Sequence, residues 1–231
     1  MNRLALLLLA LLAIASPARA SYVYISEQGT GSGQNVPLTL PVGTNNNPGW
    51  FAGFQTIAIS PNPNGTSATD YSVFCVDPSH FASSSFLRYI APAGDNVAAV
   101  FGAARASNLE NLYNLYYAGT IGNNANAAAF QIALWELAND DGSLSTGAVQ
   151  KTASTSASVV AAVNALLGNL SYSGPNQYSF GVYQADRSVD GSSGQDYALV
   201  VSQAPLPAPL ALVLAGLGFI GGFARRRVAR A

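Results

Sequence analysis

The spacing of apolar residues in this chain changes from strand-like to helix-like and back, and that change limits the folds available to it. Residues 21–77 contain short runs rich in β-branched and aromatic residues, separated by clusters of Gly, Asn and Pro. The predicted strands are residues 22–25, 35–42, 50–60 and 70–76, and the predicted turns are residues 29–34, 43–49 and 61–66. The Gly-rich segment 29–33 precedes no helix and no Gly-Lys-Ser/Thr, so we interpret it as a turn rather than a phosphate loop.

Apolar residues take helical spacing in the middle of the chain. The predicted helices are residues 97–105, 108–118, 123–139 and 156–170. Strand-like runs then return at residues 178–184 and 197–202. The order β, then α, then β predicts a single α+β domain over residues 21–203, with a helical insertion at about residues 97–170.

One predicted helix, residues 123–139, carries a lone amide in an apolar run. Gln131 lies four residues before Trp135 and four after Ala127, so the three share one helix face. Burying an unpaired amide costs about 1–3 kcal/mol. The helix therefore predicts a polar partner for Gln131.

Both ends of the chain are interpreted as targeting segments. Residues 1–20 have a basic start, a Leu/Ala-rich middle and a small-x-small end at Ala18-Arg19-Ala20, as in a secretory signal peptide. Near the other end, a Pro-rich motif leads into an apolar run at residues 210–224, which is long enough to approach a membrane span, and then into arginines. The motif and cluster residues are Pro205, Leu206, Pro207, Ala208, Arg225, Arg226 and Arg227.

This tail, residues 204–231, resembles the PEP-CTERM sorting signals of Gram-negative bacteria, especially the VPLPA variant. Ala204 stands where that variant has Val, and the Glu of the PEP form is absent. The resemblance implies an exported precursor held in the inner membrane by a single transmembrane helix. An exosortase-type enzyme would then release it to the cell surface or extracellular matrix. The alternative is a plain single-pass anchor.

Charge argues against nucleic acid as a partner. Between the two targeting segments the chain has four basic and eleven acidic residues, a formal charge of −7. Phosphate binding requires clustered Lys and Arg, which this region lacks.

A solitary cysteine, Cys75, excludes an internal disulfide in an exported protein. Its thiol is then buried and inert, paired with another chain, or used in other chemistry.

Three motifs occur in order along the predicted domain. Phe74-Cys75-Val76-Asp77 ends a predicted strand, Gln131 to Trp135 reads Gln-x-Ala-x-Trp on a helix, and Gln195 precedes the last predicted strand. These motifs resemble those of the thioester domains of bacterial surface adhesins. Phe130 replaces the Thr usual before the helical Gln, and Gly194 replaces a hydrophobic residue before the strand Gln.

The resemblance implies a β-sandwich or barrel-like thioester domain with an inserted helical subdomain. It makes Cys75 the thiol and Gln195 the acyl partner of a thioester, with Gln184 and Gln203 as alternatives. Gln131 would donate to the thioester carbonyl, and Trp135 would exclude water. Such a protein would attach once to an amine-bearing protein or polysaccharide and would not turn over as an enzyme.

The same residues also allow other interpretations. Cys75 can be an ordinary core residue, Gln131 can cap a loop and Gln195 can lie on the surface, which leaves a non-covalent structural or binding protein of the matrix. A Cys–His hydrolase would need His80, the only histidine, which we expect in a solvated loop. Asp186, Asp190 and Asp196 lack the spacing of a calcium loop and are expected to form a solvated turn. No Cys/His cluster is present, so we expect neither metal nor cofactor.

Overall fold

The computed structural model describes residues 21–190 and 194–202 of the 231. The predicted signal peptide, Gln203 and the predicted sorting segment lie outside the described residues. Within those two ranges, no helix is both long and apolar enough to cross a membrane.

Seven antiparallel strands form the sheet of this mixed α/β fold. They are β1 (Tyr22–Leu40), β2 (Gly43–Ser60), β3 (Thr69–Cys75), β4 (Leu87–Ile90), β5 (Gln150–Lys151), β6 (Tyr178–Ala185) and β7 (Tyr197–Ser202). Their order is β2-β3-β7-β6-β4-β1-β5, and β1 also pairs with β2. Six strands therefore close into a ring, with β5 added on the outer side of β1. The short strands β4 and β5 were not predicted from the sequence.

The turn predicted at residues 29–34 is wrong, because that segment continues β1. The register between β1 and β2 shifts between Glu27 and Gly29 and again between Thr30 and Gly33, so the strand is bulged rather than broken. A Cβ built on Gly33 would lie 2.4 Å from Ala52 O. Glycine there permits close approach of the two strands, which the sequence pattern alone does not distinguish from a turn. The turn predicted at residues 43–49 is also wrong, since β2 begins at Gly43.

The helices lie between β4 and β6, except for one short helix before β7. They are α1 (Val97–Phe101), α2 (Ala103–Tyr116), a 3₁₀ turn (Tyr117–Thr120), α3 (Asn124–Asn139), α4 (Ala157–Leu167) and α5 (Arg187–Asp190). The helix predicted at residues 97–105 is divided at Gly102, whose φ of +81° is outside the helical region. The helix predicted at residues 123–139 is confirmed as α3, and Asn123 caps it by accepting from Asn126 N–H.

Apolar side chains form two cores because strand residues alternate between the two faces of the ring. One small cluster collects strand residues of one face: Ile25, Ile57, Val73, Tyr89, Ala185 and Tyr197. The larger cluster joins the other face to the helices, and α3 packs against β1, β2, α2 and α4. Phe74 of β3 stacks at 4.2 Å from Phe54 and 4.7 Å from Phe130. This aromatic packing fixes α3 against the strand that carries Cys75.

Candidate functional site

Cys75 is the last residue of β3 and is fully buried. It lies opposite Tyr197 of β7, as Phe74 lies opposite Ala198. A hydrogen bond from Val76 N–H to Asp196 O (2.9 Å) continues this pairing by one residue. The thiol is free and exchanges hydrogen bonds with the backbone of Asp77. Its S–H donates to Asp77 O (3.2 Å), and Asp77 N–H donates to Sγ (3.3 Å).

Gln195 lies in the segment just before β7, two residues before the partner of Cys75. Tyr197 is directly opposite the cysteine, and a residue two positions away on the partner strand is its diagonal neighbour. Diagonal neighbours in an antiparallel pair are about 7–8 Å apart, within reach of a long side chain. Gln184 does not share this position, because Tyr183 is the residue opposite Tyr197. Gln184 is therefore one residue past the last β6–β7 pair, and its side chain points to the opposite face of the sheet from that of Tyr183.

Gln131 has the polar partner that its helix predicted, and that partner is the Cys75 peptide. The side-chain Oε1 accepts from Cys75 N–H (3.2 Å), and Nε2 donates to Cys75 O (2.7 Å). The amide thus pairs with β3 as a neighbouring strand would. Asn139, two turns further along α3, donates to Val76 O (2.7 Å). Gln131 therefore holds the backbone that carries the thiol, and its role as donor to a thioester carbonyl stays a prediction.

Gln55 of β2 is a site residue that the sequence motifs missed. It lies opposite Val73 of β3, on the side of that strand away from β7. Gln55 Nε2 donates to Gln195 Oε1 (3.2 Å). The nearly buried Gln55 leaves its own Oε1 without a hydrogen-bond partner among the described residues. In the sequence, Gln55 is only an amide within a predicted strand. The register between β2 and β3 is needed to recognise it as a site residue.

Trp135 lies beside the thiol on α3 and is only 3% exposed. Its indole acts to lower the pKa of Cys75, which places it close to the sulfur. Its Nε1–H makes no hydrogen bond of ordinary geometry within residues 21–190 and 194–202. The exclusion of water by Trp135 stays a prediction, and its indole N–H is available to a further acceptor.

A cavity of about 240 Å³ brings Gln195 and Trp135 together with residues from four other segments. Its lining is Glu27, Leu40, Val42, Trp50, Phe51, Gln55, Pro78, His80, Phe81, Ala82, Trp135 and Gln195. Burial raises the pKa of the Glu27 carboxyl above its ordinary value. The cavity therefore has aromatic walls and a small number of polar groups near Gln195, which is typical of a small-ligand site.

The thiol of Cys75 is neutral over the physiological pH range. Burial raises its pKa well above the ordinary value, and the nearby carboxylates of Asp77 and Asp196 act in the same direction. The hydrogen bond from the Asp77 backbone and the Trp135 indole only partly offset that rise. A buried neutral thiol reacts slowly with reagents in solution, so any chemistry at Cys75 depends on a partner held against it.

Arg187 of α5 connects the two segments that carry Cys75 and Gln195. Its Nη2 lies 2.6 Å from Asp77 Oδ2 and 3.1 Å from Asp196 Oδ1, and it donates to Gly194 O (3.2 Å). The guanidinium thus binds the residues on both sides of Gln195 and the residue two after Cys75. Arg187 was not predicted as a site residue, although it is one of only four basic residues in the predicted domain.

His80 is not the solvated loop residue expected from the sequence. Its Nδ1 lies 2.7 Å from Asp77 Oδ2, and its side chain is partly buried at the cavity. Within the described residues no hydrogen bond joins it to Cys75. The expected solvated acidic turn is also wrong for two of its residues: Asp186 pairs with Arg88 (2.5 Å), and Asp196 accepts from Ala185 N–H (2.8 Å).

The two departures from the thioester-domain motifs have structural reasons. A Cβ on Gly194 would lie 2.6 Å from the Tyr89 hydroxyl oxygen, so no side chain fits at that position. Phe130 occupies a fully buried site between Phe74 and Tyr113, with ring centroids 4.7 and 5.0 Å away. In this chain both positions serve the packing around Cys75 and Gln195.

Comparison with known proteins gave two structural neighbours. The N-terminal thioester domain of a surface protein from Clostridium perfringens superposes with a TM-score of 0.46 at 15% identity, covering 78% of this chain and 99% of that one. A cysteine-to-alanine variant of the same domain gives a TM-score of 0.45, with the same identity and coverage. No protein-family profile matches the chain. No curated protein matches it by sequence either.

Proposed function

We propose that this chain is an exported surface or matrix protein that attaches covalently to amine-bearing targets through a Cys75–Gln195 thioester. The observation that carries the proposal is the position of Gln195. It lies two residues before Tyr197, the residue opposite the only cysteine, and its carbonyl oxygen accepts a hydrogen bond from the nearly buried Gln55. The hydrogen bond is aimed at the oxygen on which negative charge develops during acyl transfer.

Formation of the thioester needs no added reagent, because a thiol and a carboxamide give a thioester and ammonia. The sulfur of Cys75 attacks Cδ of Gln195, an S–C bond forms, and the C–N bond of the amide breaks. The nitrogen leaves as ammonia and takes the thiol proton with it. Neighbouring paired strands hold the two groups together, and such positioning supplies effective molarities of about 10⁵ M or more.

Each polar neighbour has a separate part in that step. Gln55 stabilises the oxyanion on the former Gln195 amide, while Gln131 keeps the Cys75 backbone in place. Arg187 fixes Gly194 and Asp196 on either side of Gln195. Burial of the sulfur and the adjacent Trp135 shield the closed bond from water.

The target amine reaches the bond through the cavity beside Gln195. Its nitrogen attacks the thioester carbon, a new amide forms, and Cys75 regains a proton from the amine. Glu27 and His80 both line this cavity and are the groups available to accept a proton from the incoming ammonium. The reaction occurs once for each molecule, so the protein acts as an adhesive rather than an enzyme.

The location and processing in this proposal follow from the ends of the sequence. The signal-like residues 1–20 export the chain, and the PEP-CTERM-like tail at 204–231 holds it in the inner membrane until an exosortase-type enzyme acts. The partners are that enzyme and an amine-bearing protein or polysaccharide of the cell surface or matrix. The net negative charge of the intervening region is inconsistent with nucleic acid as a target.

Incubation with isotopically labelled methylamine tests the proposal. The label is expected at Gln195 after proteolysis and mass spectrometry, with one equivalent per molecule at most. Cys75→Ala should incorporate none, because the carboxamide then has no activated form. Equal labelling of the wild type and Cys75→Ala would contradict the proposal.

A second candidate function is non-covalent binding of the matrix, favoured by the aromatic rim of the cavity. Trp50 and Phe81 lie 5.9 Å apart between ring centroids, and Phe81 is 58% exposed. Exposed rings at a cavity provide flat apolar surface for a sugar or a peptide. In that case Phe81→Ala would weaken matrix binding and Cys75→Ala would leave it unchanged.

A further inference from the structure

A loop at the end of α3 brings together three carboxylates that neither the sequence motifs nor the proposed attachment chemistry uses. Glu136 is in the last turn of α3, Asp140 caps the helix, and Asp141 follows it. One carboxylate oxygen from each residue lies within 4.8 Å of the other two. Two ligands of a calcium ion, each about 2.4 Å from the metal, are at most about 4.8 Å apart. The spacing therefore fits oxygens that share one cation.

Glu136 supplies independent evidence for a ligand at this position. Its side chain is fully buried, and Oε1 has no hydrogen-bond partner among the described residues. Oε2 accepts a hydrogen bond from Ser143 N–H (3.1 Å). A buried carboxylate beside two others is unfavourable unless a cation compensates it.

The loop holds the two aspartates in place without using all their oxygens. Asp140 Oδ2 accepts from Ala148 and Val149 N–H, both at 2.6 Å. Asp141 accepts from Ser143 N–H (2.9 Å) and from the Thr146 hydroxyl (2.7 Å). Asp140 Oδ1 remains directed toward the loop, because a Cβ on Gly147 would lie 1.9 Å from it. These bonds fix the carboxylates before any ion arrives.

Arg105 does not neutralise the three carboxylates. Its guanidinium donates to the backbone carbonyls of Ala138 (2.6 Å) and Asp140 (3.4 Å). No ion pair between Arg105 and the three carboxylates occurs within residues 21–190 and 194–202. The negative end of the α3 dipole adds to the attraction for a positive ion.

We propose that Glu136, Asp140 and Asp141 bind a calcium ion at the C-terminal end of α3. Three carboxylates form a hard, all-oxygen ligand set, which calcium accepts and a thiol- or imidazole-preferring metal does not. Water and loop carbonyls complete the coordination. The sequence expectation of no metal considered Cys/His clusters and the acids at 186–196, whereas these ligands come from a helix end and its loop.

The ion would stabilise the helix that positions Cys75. Gln131 and Asn139, which hold the backbone of Cys75 and Val76, lie on α3 with Glu136. In an exported protein the expected dissociation constant is about 10⁻⁴ to 10⁻³ M, as in other extracellular calcium modules. The proposed calcium site does not depend on formation of the thioester.

Thermal unfolding of the full chain with and without calcium tests this site. At about 10 mM Ca²⁺ the unfolding midpoint of the wild type should rise by about 5 °C relative to protein in chelator. Glu136→Gln should lose that rise while being at least as stable as the wild type in chelator, because it removes the buried charge. Glu110→Gln, the same substitution in α2, serves as the matched control and should keep the full rise.

Asp141→Asn provides a second variant at the exposed edge of the cluster. Its remaining side-chain oxygen can still accept from the loop, so it should fold and should weaken calcium binding at least tenfold by titration calorimetry. Equal calcium shifts in the wild type, Glu136→Gln and Asp141→Asn would overturn the site. No shift in the wild type would do so as well. An equal shift with Mg²⁺ would contradict the assignment to calcium.

Discussion

Gln55 of β2 and Gln195, in the segment before β7, are joined by a hydrogen bond from Gln55 Nε2 to Gln195 Oε1 (3.2 Å). Gln55 lies opposite Val73, and Gln195 lies two residues before Tyr197, the partner of Cys75. The two carboxamides thus come from segments on the two sides of β3, the strand that ends at Cys75. One of the two is proposed to be acylated, and the other to stabilise the carbonyl oxygen.

Gln55→Met should slow the reaction with methylamine by about 10²–10³-fold, the usual loss when one oxyanion donor is removed. The substitution retains the length of the side chain but not its N–H. Gln28→Met, at an exposed position of β1, is the matched control and should react at the wild-type rate. The rate is followed by release of the Cys75 thiol under denaturing conditions.

The same variant also distinguishes Gln195 from Gln55 as the residue that is acylated. If Gln195 is acylated, Gln55→Met still loses ammonia and Gln195→Ala does not. The opposite result would move the thioester to Gln55 and show that the assignment of Gln195 is wrong.

Gln131→Met should destabilise the fold, because it leaves the N–H and C=O of Cys75 without their partners. Each unpaired buried backbone group costs about 1–3 kcal/mol. Urea unfolding measures the loss. Gln184→Met, on half-buried β6, is the control and should change stability by less than about 1 kcal/mol. Equal stability of Gln131→Met and the wild type would show that the Gln131–Cys75 pairing contributes little.

The pH dependence of thiol labelling reports the environment of Cys75. In Gln195→Ala the thiol stays free, and burial raises its pKa, so the thiolate fraction at any pH below that value is smaller than in an exposed cysteine. Alkylation of the folded variant should therefore rise about tenfold per pH unit from about pH 7 to pH 10. In urea the rate should level off near pH 8.5, the ordinary range for cysteine.

That behaviour affects how a protected thiol is interpreted. Slow alkylation of the folded wild type follows from burial alone and is not evidence for a thioester. Protection that persists in denaturant and disappears after methylamine treatment requires the bond. A levelling of the folded variant's rate near pH 8.5 would contradict the buried, neutral thiol.

Gly33→Ala should destabilise the domain by about 1–3 kcal/mol, since its Cβ would overlap Ala52 O and the Gly53 backbone. Gly119→Ala, whose nearest neighbour is the Asn126 amide nitrogen at 3.7 Å, is the matched control and should be tolerated. Equal unfolding midpoints for the two variants would argue against the close crossing of β1 and β2.

The sequence was most informative where pattern and burial agree. The helix carrying Gln131 and Trp135 was predicted within one residue at its start, because an apolar run of helical period is also a buried run. The prediction divided β1 into two strands. A Gly-rich segment that lets two strands approach closely has the same composition as a turn. The four-residue strand β4 is too short to give a periodic signal.

Parts of the site depend on register, which no local pattern specifies. Gln195 was found from its motif, but Gln55 and Arg187 belong to no motif. They reach the site only because β2 pairs with β3 and because α5 precedes β7. The partner of Gln131 could not be identified for the same reason: it is a peptide group 56 residues away.

The mass of the intact protein tests the central claim most directly. If Cys75 and Gln195 form a thioester, the purified wild type is about 17 Da lighter than its sequence mass, through loss of one ammonia. Cys75→Ala and Gln195→Ala should both have their full sequence masses. Methylamine should raise the wild-type mass by about 31 Da from the lighter form. A wild-type protein of full sequence mass, with Cys75 titrating as a free thiol in denaturant, would contradict covalent attachment through this site.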